Sequence, residues 1–519
     1  MSEARAVGND EQREAAGPEL CIALITPLGA PTDHLVAMLE SELRTYNYSS
    51  EPIRLSDLLA ARYEGEIPQY RDLRTAKLVE LGNELCKELS DRSAVARLGI
   101  EEIVHRRADN PYSRRRAWVI RSLKRPEEVT LLRHTYGDAF YSVAIYSEES
   151  MRRVRLQAAI KASRSSCAND RAGSLANEMI ARDENQAVTA SEHDYGQNVL
   201  KTFPMADVII SGDDPMEQER QVRRFVRVLF GENIVPSSSE HAMYLADGTA
   251  AISSSLSRKV GACMATERGE IVAVGVNEAP KAGGGQYTGE SIGGRDADIG
   301  NDYSELTVHD LAASTVLALA ADGWLSEEKA GKAEIDPDGL ADEAIALLEV
   351  QKSPLMSLLE FQRPVHAEMS AILDAGRRGV SPKGAYLYCT TYPCHLCMKE
   401  IIAAGVWKVV YIEPYPKSRS VAMYGDALAI GKSIHDSQST EIASVSVDPF
   451  IGVSPRAYRR LFVEQQYRRK DSRGEVVRQP LNTALPKAGY LRPLLSVSER
   501  EGIAILPLVP LDENEEMEQ

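Results

Sequence analysis

The chain has 519 residues, 43% of them hydrophobic, and its 60 basic and 76 acidic side chains leave a formal net charge of −16. That length accommodates two or three domains with a sizeable core, and the acidic balance excludes a global basic field for nucleic acid. Seven cysteines, odd in number and scattered, exclude a disulfide framework. No run of about 18 apolar residues predicts a membrane span, and the polar N-terminus has no signal-peptide core, so a cytoplasmic protein is expected.

Residues 1–18 read as a disordered polar leader. The apolar run 20–25 predicts a strand, residues 26–32 a loop, and the periodic segment 33–43 a helix. Further strands are predicted at 117–120, 140–146 and 207–210. Their alternation with helical segments predicts a parallel α/β sheet over 19–212. Two helical patterns follow, at 218–230 and 240–256, and clusters of Gly, Asp, Pro and Ser place a domain boundary within 212–238.

From there the signals change. Strands are predicted at 260–264 and 271–276 around a turn at 267–270, then a glycine-rich loop at 281–285. Residues 325–345 read as an acidic helical insertion. A helix at 366–377, a strand at 385–389, a helix at 395–404 and a strand at 408–412 continue the alternation. The second domain is expected over 238–465, as a five-stranded mixed sheet between helices. Residues 466–519 are expected to be an extension ending in an acidic tail.

Two of these helix starts carry chemistry. His366-Ala367-Glu368 opens one; Cys394-His395-Leu396-Cys397, directly after Pro393, opens the other. A catalytic zinc takes three imidazole or thiolate ligands and keeps one position for water. His366, Cys394 and Cys397 are three such ligands. A two-residue spacer on a first helical turn aims both sulfurs at one point, where the helix dipole favours thiolate. Glu368 is placed to take a proton from a zinc-activated water and pass it to a ring nitrogen. A structural zinc site would need a fourth Cys or His; His395 points elsewhere on its helix, and Cys389 belongs to the preceding strand. His-x-Glu with Pro-Cys-x-x-Cys is the pattern of zinc nucleobase deaminases.

The stretch from about 240 to 418 resembles deoxycytidylate deaminases through Ser257-Arg258-Lys259-Val260-Gly261-Ala262 and Gly275-Val276-Asn277-Glu278-Ala279-Pro280. The resemblance implies that Asn277 meets sugar and base edge and that Arg258 faces the nucleotide phosphate. Ala367, inside the His-x-Glu motif, goes with them as a substrate contact. A narrower resemblance is to bacterial anti-phage dCTP/dCMP deaminases. It rests on 280–285, Val365-His366-Ala367-Glu368-Met369, 410–418 and 449–456, and, in the first domain, on Arg182-Asp183-Glu184, Tyr195-Gly196-Gln197 and Ala206-Asp207. It implies a P-loop-like N-terminal domain fused to a zinc deaminase that depletes deoxycytidine nucleotides during infection. It also implies a homo-oligomer and an inhibitory RNA or a phage-derived trigger. Tyr415 and Lys417 are candidates to close over sugar and phosphate, and Lys281 with its three glycines is a candidate phosphate loop.

The N-terminal loop departs from a working P-loop. Between Ile25 and Asp33 it has one glycine and no lysine, and Pro31 removes a backbone donor. Thr26, Gly29 and Thr32 are therefore read as a degenerate nucleotide loop with a sensing or assembly role. The basic runs Arg114-Arg115-Arg116, Arg152-Arg153-Arg155 and Arg468-Arg469-Lys470 are either solvated surface or contacts to RNA or nucleotide. The rival functions are a polynucleotide base deaminase, acting on tRNA or single-stranded DNA, and a regulatory nucleotide-binding protein with weak catalysis.

Overall fold

The computed structural model describes residues 18–110, 115–185, 195–347, 350, 353, 358, 362–415, 418–431, 444–464, 467–487 and 497–508. The leader to residue 17, Arg114, Lys417 and the acidic tail lie outside the described residues. The chain divides into two compact units, one from Met1–Glu240 with Phe450–Gln519 and one from His241–Pro449. No described helix is long and apolar enough to cross a membrane.

The first unit is built on β1 (Leu20–Ile25), β2 (Ser49–Arg54), β3 (Arg116–Leu123), β4 (Phe140–Tyr146) and β5 (Val208–Ser211), all parallel, in the order β5-β4-β1-β3-β2. Every residue of β1 is buried, as expected of a strand covered by helices on both faces. β2 was not foreseen. Its sequence, Ser-Ser-Glu-Pro-Ile-Arg, is polar and carries Pro52, which only an edge strand tolerates, and the edge is where it lies.

The second unit holds β6 (Gly261–Ala265), β7 (Ile271–Val276), β8 (Tyr386–Thr391), β9 (Lys408–Glu413), β10 (Leu428–Ile430) and β11 (Val445–Pro449), in the order β10-β11-β9-β8-β6-β7. The expected hairpin is present as the antiparallel pair β6–β7, and β8–β9 is parallel. The sheet has six strands, not the expected five, because the short β10 and β11 carry too little pattern to be read as strands. The acidic insertion is helical at Glu327–Ile335 and Pro337–Ala346, and a further helix at Tyr303–Ala321 precedes it.

The second domain also ends earlier than expected. β12 (Gly452–Val453) pairs antiparallel with Val208 and Ile209 of β5, and Glu240, buried in the same unit, accepts the Val453 N–H at 2.8 Å. Residues 450–464 thus complete the first unit. Members of two of the basic runs are engaged internally as well, although Arg153 is exposed. Arg115 and Arg116 are buried, donating to the carbonyls of Asn482 and Asn110, each at 2.7 Å. Arg152 is buried against Glu184 at 2.5 Å, and Arg155 meets Asp213 at 2.8 Å. Arg468 to Lys470 remain exposed.

One close approach positions the chemistry. Helix Ala367–Arg377 lays Ala367, Ala371 and Ala375 against the sheet in the core of the second unit. A Cβ on Gly275 of β7 would lie 2.1 Å from the Ala367 carbonyl oxygen and 2.4 Å from the Ala371 nitrogen. The backbone cannot yield there without moving the helix that carries Glu368. Gly275→Ala is expected to lower the thermal unfolding temperature of this unit, by an overpacking cost of roughly 1–3 kcal/mol, measured by calorimetry. An unchanged transition would show that the helix does not depend on this contact.

Candidate active site

His366 is the N-cap of helix Ala367–Arg377 and Cys394 the N-cap of helix His395–Ala403, which Pro393 precedes. Val365, just before His366, exchanges two backbone hydrogen bonds with Glu278, at 2.9 and 3.2 Å. Glu278 is in turn buried and accepts from the Ser254 N–H and hydroxyl at 2.8 and 2.7 Å. The approach of the chain to His366 is therefore pinned from both sides.

The Nδ1 of His366 lies 3.3 Å from Cys394 Sγ and 3.4 Å from Cys397 Sγ. These three donor atoms all lie within 4.8 Å of one another. His366 Nε2 lies 2.5 Å from Gln362 Oε1, and its Nδ1 faces the two sulfurs. Cys397 N–H donates to Cys394 Sγ at 3.5 Å, the contact expected of a thiolate at a helix start. Among the described residues no fourth Cys, His or carboxylate joins the group.

The electrostatics of the trio are in conflict. The hydrogen bond from Cys397 holds the Cys394 thiol well below its usual value, with His366 adding to it against the effect of burial. Cys397 is driven the other way, first by its hydrogen bond to Cys394, then by burial. Burial alone would lower His366, but the hydrogen bond to Cys394 and the charge of Glu368 outweigh it and raise the imidazole. A divalent cation bound by all three would remove the conflict, and one nitrogen with two sulfurs suits zinc. Glu368 is 4% exposed; burial raises its carboxyl, with His366 pulling the other way.

The remaining expected residues divide. Tyr415 packs against Cys394 and Cys397. The Arg258 guanidinium lies 5.9 Å from the Tyr415 ring centroid and pairs with Glu413 at 3.1 Å, while 52% exposed. Glu413 was missed; it lies inside the quoted run 410–418, and nothing in its spacing marks it. Gln362 was missed too, since a glutamine upstream of a histidine carries no pattern of its own. Asn277 serves the backbone: it accepts from Val260 N–H and donates to the Arg258 carbonyl, both at 2.7 Å. Both polar ends of its side chain are engaged in shaping the loop that presents Arg258. Ala367 is fully buried, against β7.

Lys281 is exposed and lines a separate cavity of about 210 Å³ with Glu278, Tyr287, Val365, Asp374 and Arg377; the metal-ligand candidates are not among its lining residues. Thr26, Gly29 and Thr32 lie in the first unit, around a cavity of about 480 Å³.

Residues 236–413 match the family described as "Cytidine and deoxycytidylate deaminase zinc-binding region", and this part of the chain is a cytidine/deoxycytidylate deaminase domain. Among individual relatives, it is similar to ComE operon protein 2 of Bacillus subtilis (strain 168), with 51% identity over 53 residues, 10% of this chain and 28% of that protein. It is also similar to the deoxycytidylate deaminase of Enterobacteria phage T4, with 47% identity over 55 residues, 11% of this chain and 28% of the relative. The chain thus spans 28% of the length of each of these two relatives. Among solved structures, the dCMP deaminase of cyanophage S-TIM5 in complex with dCMP and dUMP matches at 19% identity, covering 42% of this chain and 99% of that one, with a TM-score of 0.22.

The Gln362 contact gives a direct test of the ligand geometry. A partner that orients a metal-binding histidine is worth about 10- to 100-fold in metal affinity. Gln362→Ala is expected to lose zinc to a chelator at correspondingly lower chelator concentration, while still binding one zinc when the metal is in excess. Unchanged competition would show that Nε2 needs no partner.

Proposed function

We propose that the second unit is a zinc-dependent deaminase that hydrolyses the amine of a free deoxycytidine nucleotide, dCTP or dCMP, to give the deoxyuridine nucleotide and ammonia. The observation that carries this reading is a buried carboxylate, Glu368, beside three donors whose atoms lie within 4.8 Å of one another. His366, Cys394 and Cys397 would hold the zinc, which would supply the Lewis acidity that brings the pKa of water toward about 7. Glu368, with its carboxyl raised by burial, accepts a proton from the attacking water and delivers it to N3 of the cytosine ring; it then takes the second proton from the new C4 hydroxyl and passes it to the amine, which leaves as ammonia as the C4 carbonyl forms. Desolvation suits both halves of that task, since it brings a carboxyl closer to the operating pH.

A nucleotide as substrate is supported by the names of the relatives and by Arg258, an exposed cation at the rim beside Tyr415. Glu413 holds that guanidinium in place and competes with phosphate for it. The resemblance to anti-phage deaminases extends the proposal to depletion of the deoxycytidine nucleotide pool during infection. It also extends it to a homo-oligomer controlled by an RNA or a phage-derived trigger. The first unit we read as the degenerate P-loop-like, nucleotide-kinase-like domain, with a regulatory or assembly role through a bound nucleotide. Its support is the open parallel sheet and the loop of Thr26, Gly29 and Thr32 at the carboxyl end of β1.

Ammonia release from dCMP, dCTP, deoxycytidine and single-stranded DNA tests the substrate class. Turnover is expected on the free nucleotides and little on the polynucleotide; the reverse order would overturn the reading. Glu368→Ala should keep its zinc and lose at least about 10²- to 10⁴-fold in turnover. Near wild-type activity would remove Glu368 from the mechanism.

Arg258 is tested by comparing substrates. Arg258→Ala should raise KM for dCMP and dCTP by roughly tenfold or more, the loss of one charged hydrogen bond, with deoxycytidine much less affected. Equal losses on nucleotide and nucleoside would show that Arg258 does not meet phosphate.

A further inference from the structure

We infer that the first unit binds the polyphosphate of a nucleotide through a set of arginines around its cavity, and not through the loop that follows β1. The inference deepens the reading that this unit binds a nucleotide and rests on it. The cavity, of about 480 Å³, lies at the carboxyl ends of β1 and β3. The chain leaves β1 for β2 and β3 on one side of the sheet, then crosses to β4 on the other. Open parallel sheets bind ligands at such a switch point.

Six cationic side chains and three carboxylates line the cavity, in a protein whose net charge is −16. The loop itself is already satisfied. Asp183, 3% exposed, accepts the Leu28 N–H at 2.6 Å and the Lys124 ammonium at 2.7 Å. Lys124 also donates to the Thr26 carbonyl at 2.6 Å. Thr26 donates to the Ser122 hydroxyl and Thr32 to the Ala30 carbonyl. Gly29, at φ +87°, comes so close to Arg152 that a Cβ would lie 2.8 Å from its carbonyl oxygen. A carboxylate of the chain therefore takes the amide and the lysine that a phosphate would use. The second carboxylate, Glu128, is paired with the buried Arg125 at 3.1 Å.

Four guanidiniums remain: Arg54 at the end of β2, Arg71 at the start of helix Arg71–Glu88, Arg121 on β3 and Arg182 on helix Asn169–Asn185. Of the lining carboxylates only Asp33 is left for them, and from outside the lining Asp57 approaches Arg54 at 3.8 Å. Asp33 pairs with Arg121 at 2.5 Å and Arg54 at 3.5 Å and is itself 85% exposed. The exposed side chains of Arg71 and Arg182 have no hydrogen-bond or ion-pair partner among the described residues. Guanidiniums from four separate elements around one cavity repel one another unless an anion of several charges joins them, and their forked donors match phosphate oxygens. Leu28, Leu55, Leu59 and Val95 supply apolar wall for a base. A nucleoside triphosphate fits both halves. With Lys124 tied to Asp183, the site holds phosphate without the free lysine a transferase would use.

The experiment is equilibrium binding of ATP to the full-length zinc protein, with inorganic tripolyphosphate as competitor. Saturable binding displaced by tripolyphosphate is expected. The double variant Arg71→Ala/Arg182→Ala should lose at least about tenfold in affinity, the loss of charged hydrogen bonds. Arg153→Ala/Arg171→Ala removes the same charge from exposed helix positions outside the cavity and should leave ATP affinity unchanged. Equal losses in both double variants, or undiminished binding after Arg71→Ala/Arg182→Ala, would overturn the arginine site and leave nucleotide binding by this unit standing. No saturable ATP binding by the wild type would overturn both.

Discussion

Two thiols and an imidazole packed together out of water can neither all keep their protons comfortably nor all lose them. In the second unit the hydrogen bond between the two thiols favours loss of the proton from Cys394 and its retention on Cys397, and His366 is raised beside them. A divalent cation resolves that constraint, and the surroundings are arranged for one. Two helix starts aim their positive ends at the sulfurs, Gln362 turns the imidazole so that Nδ1 faces inward, and the Val365–Glu278 bridge holds the approach to His366. Gly275 lets the helix carrying Glu368 lie directly on β7. The sheet, the caps and the small-residue contact all serve to place three donors and one carboxylate.

The proposed reacting groups stand out in the sequence because the chemistry proposed for them imposes fixed spacing. His366 and Glu368 share a first helical turn, and so do Cys394 and Cys397; each pair opens a helix that follows a recognisable break. The strands β1, β3, β4, β6 and β7 were legible because burial demands apolar runs or alternation. What escaped notice had a physical reason. β2 is a polar edge strand interrupted by Pro52, and β10 and β11 are too short to show periodicity. Residues 450–464 return to the first unit through β12, a strand of two residues.

Site residues outside the metal trio were less readable, because a side chain's use depends on what the fold places opposite it. Arg258 reads as a phosphate contact, yet it folds with Glu413 as its partner. Asn277 reads as a substrate contact, yet both its polar groups bind backbone. Arg115, Arg116 and Arg152 look like a surface for anions but are buried within the first unit. The missing P-loop lysine reads as a degenerate nucleotide loop with a sensing or assembly role. Its physical counterpart is Asp183, which occupies the Leu28 amide and Lys124 from within, while Asp33 pairs with Arg121 and Arg54 and Arg71 and Arg182 stay exposed.

The central claim is that the second unit holds a catalytic zinc with three protein ligands and one open position, and the coordination sphere of the bound metal tests it most directly. X-ray absorption at the zinc edge, on protein loaded with one zinc per chain, should report two sulfurs, one imidazole nitrogen and one further light-atom donor from solvent. Replacing Cys394 with alanine should remove one of the sulfurs or the zinc itself. A closed sphere of four protein donors, with a third sulfur or a second imidazole, would mean that the metal is structural and would contradict the account.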